Sequence, residues 1–390
     1  MKVKLPIYLD NNATTPVDSR VLESMLPYFS EKFGNPLSKH TFGYVTNAAV
    51  DFAREQIANL IKAEKNEIYF TSGASESINI IHFGIALKHV SKGNHIISSD
   101  VEHSASYESL LQLIKKGFDV TFLKCDSKGF IHPEQIIEAI RTETILVSII
   151  AANNEIGTVN NISEIGKVCR ANNILFHTDA TQAVGKIKID VQEMNIDFLS
   201  FSSHKIYGPK GIGGLFIRKG LEQKISPLIF GGGQEKGIRP GTLNVPAIVG
   251  FGKAAEICNK DFEKDFIHTK NLRDKLYKNI LSSLDSVTLN GDKDNRLPGN
   301  LNLLIKGIKA DNLISNLREI AFSSGATCSS ETGKPSRVLK AIGLSEEDSR
   351  CCIRIGVGRF NTSEEIEYAS EKIIEEITKL RLKRNYQSTI

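Results

Sequence analysis

Strand-like apolar runs alternate with helical stretches from about residue 67 to residue 217, and this predicts an α/β protein built on a mainly parallel sheet. Right-handed crossovers between such strands bring their carboxyl ends, and a ligand with them, to one edge of the sheet. Past Asn244 the pattern changes to long, charged helices and shorter strands, which predicts a second, smaller α+β domain. The first strand is expected at Ile7-Tyr8-Leu9, ended by Asp10-Asn11-Asn12, with a helix following from Asp18. Residues 43–61 place Val45, Ala49, Phe52, Ile57, Leu60 and Ile61 near a helical period. Strands are then expected at 67–71, 95–99, 119–123, 145–150, 174–177, 198–201 and 214–217. Helices over 75–90, 104–116, 133–140 and 162–171 fill most of the gaps. Long helices cover 244–285, and beyond them strands at 287–289, 301–305 and 352–355 alternate with helices at 311–318 and 363–380. The large domain is expected over residues 15–255, and the small one over 1–14 and 256–390.

Composition narrows the class. Hydrophobic residues are 41% and charged residues 24% of the 390, as in ordinary soluble globular chains. A net charge of +4 is too weak for nucleic-acid or membrane binding, so neither is expected. The six cysteines show no framework spacing and no Cys-x-x-Cys pair, which points to reduced thiols in a cytoplasmic compartment. No apolar run reaches the roughly 18 residues of a membrane span, and no signal peptide is visible.

Lys205 follows the apolar run 196–201, is preceded by Ser202-Ser203-His204, and is followed by the turn Gly208-Pro209-Lys210-Gly211. A lysine held like that can lose a proton and attack a carbonyl. Thr71-Ser72-Gly73-Ala74-Ser75 turns from a strand into a helix, leaving free N–H groups suited to a phosphate or merely capping the helix. His177-Thr178-Asp179 ends another strand, 26 positions before Lys205, so acid and lysine face one cleft. An acid for a pyridinium nitrogen, a carbonyl-binding lysine and a phosphate cradle are together the protein half of pyridoxal phosphate (PLP) chemistry. His103 can lie on an aromatic ring, shuttle a proton or simply cap a helix. Asn153-Asn154 can grip a carboxylate or cap a turn. The glycine-rich run 231–242 lacks the Lys-Ser/Thr ending of a P-loop. Cys328 stands in a run of small residues, Ser324-Gly325-Ala326-Thr327-Cys328-Ser329-Ser330, that can present a thiolate nucleophile to a cleft.

These runs, with Tyr8-Leu9-Asp10-Asn11-Asn12-Ala13-Thr14-Thr15-Pro16, Arg239-Pro240-Gly241-Thr242 and Ile353-Arg354-Ile355, resemble the cysteine desulfurases of the class V aminotransferase group. The likeness is to the subgroup with a long cysteine-bearing loop, and it spans residues 7 to about 370 in order. It implies the PLP-dependent fold type I, a homodimer, and transfer of sulfur from L-cysteine through an enzyme persulfide to an acceptor protein, with L-alanine released. By motif, Lys205 holds the cofactor, Asp179 meets its ring nitrogen, Gln182 its ring hydroxyl, and His103 its ring face. Ala74, Ser75, Ser202 and His204 take the phosphate, with Thr242 reaching the phosphate of the partner subunit. Asn154 and Arg354 take the substrate carboxylate, and Cys328 takes the sulfur. Ala326-Thr327 stands where the family usually has Ser-Ala, which leaves open whether the acceptor serves iron–sulfur assembly, tRNA thiolation or DNA phosphorothioation. A selenocysteine lyase on the same scaffold is the alternative activity.

Overall fold

The computed structural model describes residues 3–325 and 336–387. The strands are β1 (Ile7–Tyr8), β2 (Ile68–Thr71), β3 (His95–Ser99), β4 (Asp119–Leu123), β5 (Thr144–Ser148), β6 (Leu175–Asp179), β7 (Phe198–Ser202), β8 (Gly213–Ile217), β9 (Val287–Leu289), β10 (Asn300–Ile305), β11 (Ile320–Ala321), β12 (Ser323–Ser324) and β13 (Cys352–Gly356). Seven of them form the central sheet in the order β2-β8-β7-β6-β5-β3-β4. Within it β8 runs antiparallel to both its neighbours, and all other pairs are parallel. Strands β3, β7 and β8 are buried residue by residue, as expected where helices cover both faces of a parallel sheet.

Helices Ala74–His89, Ser104–Lys115, Pro133–Ala139 and Ile162–Ala171 connect these strands, within two residues of their expected ends. Asp18 caps the helix Ser19–Met25 by accepting from the Arg20 N–H, so the first helix starts where its capping residue predicts. Helices Thr41–Ile61 and Val245–Lys260 pack together in the main core, through residues such as Val50, Ala53, Ile57, Ile248 and Phe251.

A second sheet, β12-β13-β10-β9, is antiparallel throughout, and β1 pairs in parallel with β11. Its core gathers Leu272, Leu276 and Ile280 of helix Phe262–Ser283 with Ile366, Ile373 and Ile377 of helix Ser363–Gln387. Ile7 and Leu9 belong to this second core although they open the chain. The chain therefore passes from one core into the other just past Leu9, and residues 10–18 run along the junction. The last helix continues to Gln387, past the residue 380 expected from its period.

Candidate active site

Strand ends and turns from both sheets converge on one cavity of about 570 Å³. Ala74, Ser75, His103, Asn154, Asp179, Gln182, Ser202, His204, Lys205 and Arg354 all line it. The order of strands in the sheet sets the order of the groups: the turn after β2, then residues 202–205 after β7, then 179–182 after β6. From β2 to β6 there are three strand spacings, roughly 14 Å. That separation suits a flat ligand with an anionic group at one end and a basic nitrogen at the other.

The Lys205 turn owes its shape to the chain's own beginning. After β7 the residues Ser203–Lys205 form a 3₁₀ turn, and the chain doubles back to make β8. Tyr207 sits in the left-handed region at φ 64°, a conformation that costs a tyrosine about 1–3 kcal/mol and needs support. Residues 12–18 supply that support. Tyr207 N donates to Thr15 Oγ1 at 2.9 Å, Thr15 Oγ1 donates to the His204 carbonyl at 2.9 Å, and Asp18 N donates to the Tyr207 carbonyl at 3.0 Å. Gly208 leaves room for Ser203, whose Oγ lies 2.0 Å from where a Cβ would stand. Lys205 Nζ donates to the carbonyls of Asn12 at 2.7 Å and Ala13 at 2.6 Å. His204 Nδ1 meets Thr14 Oγ1 at 3.0 Å. Asn12, Ala13 and Thr14 also line the cavity, and the reading of single motifs assigned them no role.

At the other turn, the helix Ala74–His89 starts with Gly73 as its cap and has no side-chain cap bond. Ser75 is therefore not the capping residue, and the N–H groups of the first turn are open to a ligand. Gly213 must lack a side chain, because a Cβ there would lie 2.5 Å from Gly73 Cα. The close approach of those two backbones forms the cradle floor.

Asp179 is 3% exposed and its Oδ1 accepts from Thr181 N at 2.9 Å, which fixes the carboxylate. Gln182 Nε2 donates to the Asn12 carbonyl at 2.8 Å. His103 caps the helix Ser104–Lys115 by accepting from Ala105 N at Nδ1, 3.1 Å away. Burial pushes its pKa down while Asp179 pulls the other way. Burial lowers His204 to about 4, with Lys205 and Lys210 adding to the shift, so its ring is neutral at pH 7. The paired asparagines divide the two possible tasks. Asn153 Oδ1 accepts from Glu155 N and Ile156 N and so caps the turn, whereas Asn154 lines the cavity. Arg354 is 2% exposed in the middle of the second sheet and pairs with Asp10 at 3.0 Å.

Thr242 is exposed and does not line this cavity. Cys328 lies outside the described residues. The described residues on either side of it are held by hydrogen bonds. Ser323 Oγ donates to Asp10 Oδ2 at 2.7 Å, and Gly325 N donates to the Cys352 carbonyl at 2.9 Å. On the far side, Ser336 Oγ donates to Glu155, and Arg337 donates to the carbonyls of Asp100 and Glu102 while stacking on Tyr107.

Glu102, beside His103, gives a test of the site's electrostatics. It is 1% exposed, and its Oε1 accepts from Ser99 Oγ and Ile150 N, while Oε2 has no partner among the described residues. Burial raises its pKa to about 8, and the charge of Asp179 adds to the rise. Between the ordinary carboxylate range and about 8 the folded protein keeps a proton that the unfolded chain releases. Stability therefore falls as pH rises through that window. Glu102→Gln preserves the shape and removes the titration. Thermal melts from about pH 5 to about pH 9 should show a flatter pH profile for the variant, with an advantage on the order of 5 kcal/mol at the alkaline end. Parallel profiles would contradict a protonated Glu102.

The donor set fits PLP. An open helix start, Ser202 and His204 suit a phosphate, Asp179 suits a pyridinium nitrogen, and Lys205 stands between them to take the aldehyde carbon. Comparison with known proteins points the same way. The aminotransferase class-V family matches residues 7–369. A cysteine desulfurase IscS of Rickettsia typhi is 50% identical over 97% of this chain and 92% of its own. The mitochondrial cysteine desulfurase of Saccharomyces cerevisiae is 47% identical over 96% of this chain and 76% of its own. A solved NifS-like protein superposes with a TM-score of 0.89 at 37% identity, covering 96% of this chain and 99% of that one.

Proposed function

This chain belongs to the class V aminotransferase family and is a PLP-dependent cysteine desulfurase, and we propose that the residues of the 570 Å³ cavity divide the work as follows. Lys205 attaches the cofactor and, once displaced by the substrate amine, carries the proton at the substrate α-carbon. Asp179 keeps the ring nitrogen charged. The open start of helix Ala74–His89, with Ser75, Ser202 and His204, holds the phosphate. His103 lies against the ring, and Gln182 contacts its hydroxyl oxygen. Arg354 and Asn154 receive the substrate carboxylate, Arg354 exchanging part of its contact with Asp10. PLP supplies the electron sink that makes the substrate C–S bond breakable. Cys328, as thiolate, takes the sulfur and hands it to an acceptor protein. L-cysteine as substrate is supported by a structural relative, SspA, solved in complex with cysteine, which superposes at TM-score 0.81 and 39% identity.

The observation that carries this reading is the convergence of Lys205, Asp179 and an uncapped helix start on one cavity. Purified protein mixed with L-cysteine and a thiol reductant should release alanine and sulfide in equal amounts. Preferred turnover of selenocysteine, with little alanine from cysteine, would favour the lyase instead.

A homodimer is the assembly proposed. Support comes from the exposed apolar side chains Leu26, Phe29, Phe33, Phe42, Phe52 and Phe230, the rings of Phe33 and Phe42 lying 5.5 Å apart. Thr242 then serves the partner's phosphate from its exposed position. Sedimentation should give twice the 43.0 kDa chain mass, and Phe29→Asp with Phe33→Asp should shift it toward one chain and lower activity at least about tenfold. A monomeric wild type would refute the dimer. No helix among the described residues is long and apolar enough to cross a membrane. Cys125, Cys169, Cys258 and Cys352 stand outside disulfides among the described residues, in keeping with the proposed cytoplasmic location.

A further inference from the structure

We propose that Lys186 is a positioning residue for this reaction, fixing which way the Gln182 amide faces. The inference rests on the reading that Gln182 and Lys205 meet PLP. Gln182 and Lys186 lie one helical turn apart, in a turn closed by Val184 N to the Ala180 carbonyl and Ile187 N to the Ala183 carbonyl. Lys186 Nζ donates to Gln182 Oε1 at 2.7 Å. Gln182 Nε2 donates to the Asn12 carbonyl at 2.8 Å, and Lys205 Nζ donates to the same carbonyl at 2.7 Å. The two lysines are thus joined through one amide and one carbonyl.

A glutamine amide is nearly symmetric in shape, so only its partners decide which end carries the oxygen. Here both partners agree. When protonated the Lys186 amine can only donate, so it claims the oxygen, and the Asn12 carbonyl can only accept at any pH, so it claims the nitrogen. Gln182 is 4% exposed and lines the cofactor cavity. It therefore offers an N–H, and not an oxygen, to an acceptor such as the ring oxygen of PLP. Lys186 pairs with this neutral amide. It also lines a small cavity of about 40 Å³ behind Lys205, together with Cys258, Asp265 and Arg359. Burial lowers its pKa to about 7, Lys205 adding to the shift, with Cys258 opposing it and Arg354 reinforcing it.

The test uses the purified holoenzyme. Its visible absorbance, titrated with pH, reads the hydrogen bonding of the Lys205-linked chromophore independently of turnover. Lys186→Met should move the midpoint of that titration upward and lower kcat roughly 10-fold, with KM for L-cysteine little changed. Gln182→Leu should move it in the same direction, and the double variant should move it no further than either alone. Lys186→Arg, which keeps a donor, should return the midpoint toward wild type and serves if the methionine variant fails to fold. A wild-type midpoint and kcat in Lys186→Met, or shifts that add in the double variant, would overturn the proposal. A wild-type enzyme without any Lys205-linked chromophore would sink the underlying reading instead, and the two failures are distinct.

Discussion

Lys205→Ala is expected to lose PLP on dialysis and to form alanine from L-cysteine at least about 10³-fold more slowly than wild type. Two proposed functions disappear together, the attachment point and the amine that moves the α-proton. The variant should still fold. Its backbone is held by contacts that do not involve the amine, namely the Thr15 bonds to His204 and Tyr207 and the Asp18 bond to Tyr207. What the amine leaves behind is a pair of carbonyls, of Asn12 and Ala13, that water can satisfy from the open cavity. A melting temperature close to wild type, with colour and activity gone, is the expected pattern. Retained turnover would remove Lys205 from the chemistry.

Asp179→Asn should lower kcat by about 10²- to 10³-fold while the protein stays coloured. The change is nearly isosteric. The asparagine oxygen can still accept from Thr181 N, so the side chain keeps its place at the end of β6. What goes is the negative charge proposed to hold the ring nitrogen protonated, and with it the pull on electrons from the substrate. KM for L-cysteine should change by less than about threefold, since the proposed substrate-binding groups are Arg354 and Asn154. An unchanged kcat would contradict the assigned role, and loss of the cofactor would recast Asp179 as a binding group.

Most of the scaffold was legible because its signals are local. The strands at 95–99, 119–123 and 287–289 and the helix at 162–171 have the expected limits, since each is a clear apolar or periodic run between turn residues. The reversed direction of β8 was not legible, because an antiparallel strand after a ten-residue connection reads like a parallel one. The two-residue strands β11 and β12 and the short helices Arg337–Ala341 and Glu346–Ser349 are too brief to show any period. The candidate site follows the same division. Lys205, Asp179 and the Gly73 turn each sit at the end of a readable strand. The bonds from Lys205, His204 and Tyr207 to residues 12–15 span about 190 positions, and only the fold brings those partners together. Likewise the Lys186–Gln182 bond needs the surrounding turn before either side chain gains a meaning.

Cys328 is expected to take the sulfur released over Lys205. The direct measurement is a single turnover with L-cysteine in the absence of reductant, followed by peptide mass analysis. The peptide bearing Cys328 should be one sulfur atom heavier, in equal yield with alanine, while the peptides bearing the other five cysteines keep their mass. Alanine formed with the extra sulfur on another cysteine, or on none, would contradict it.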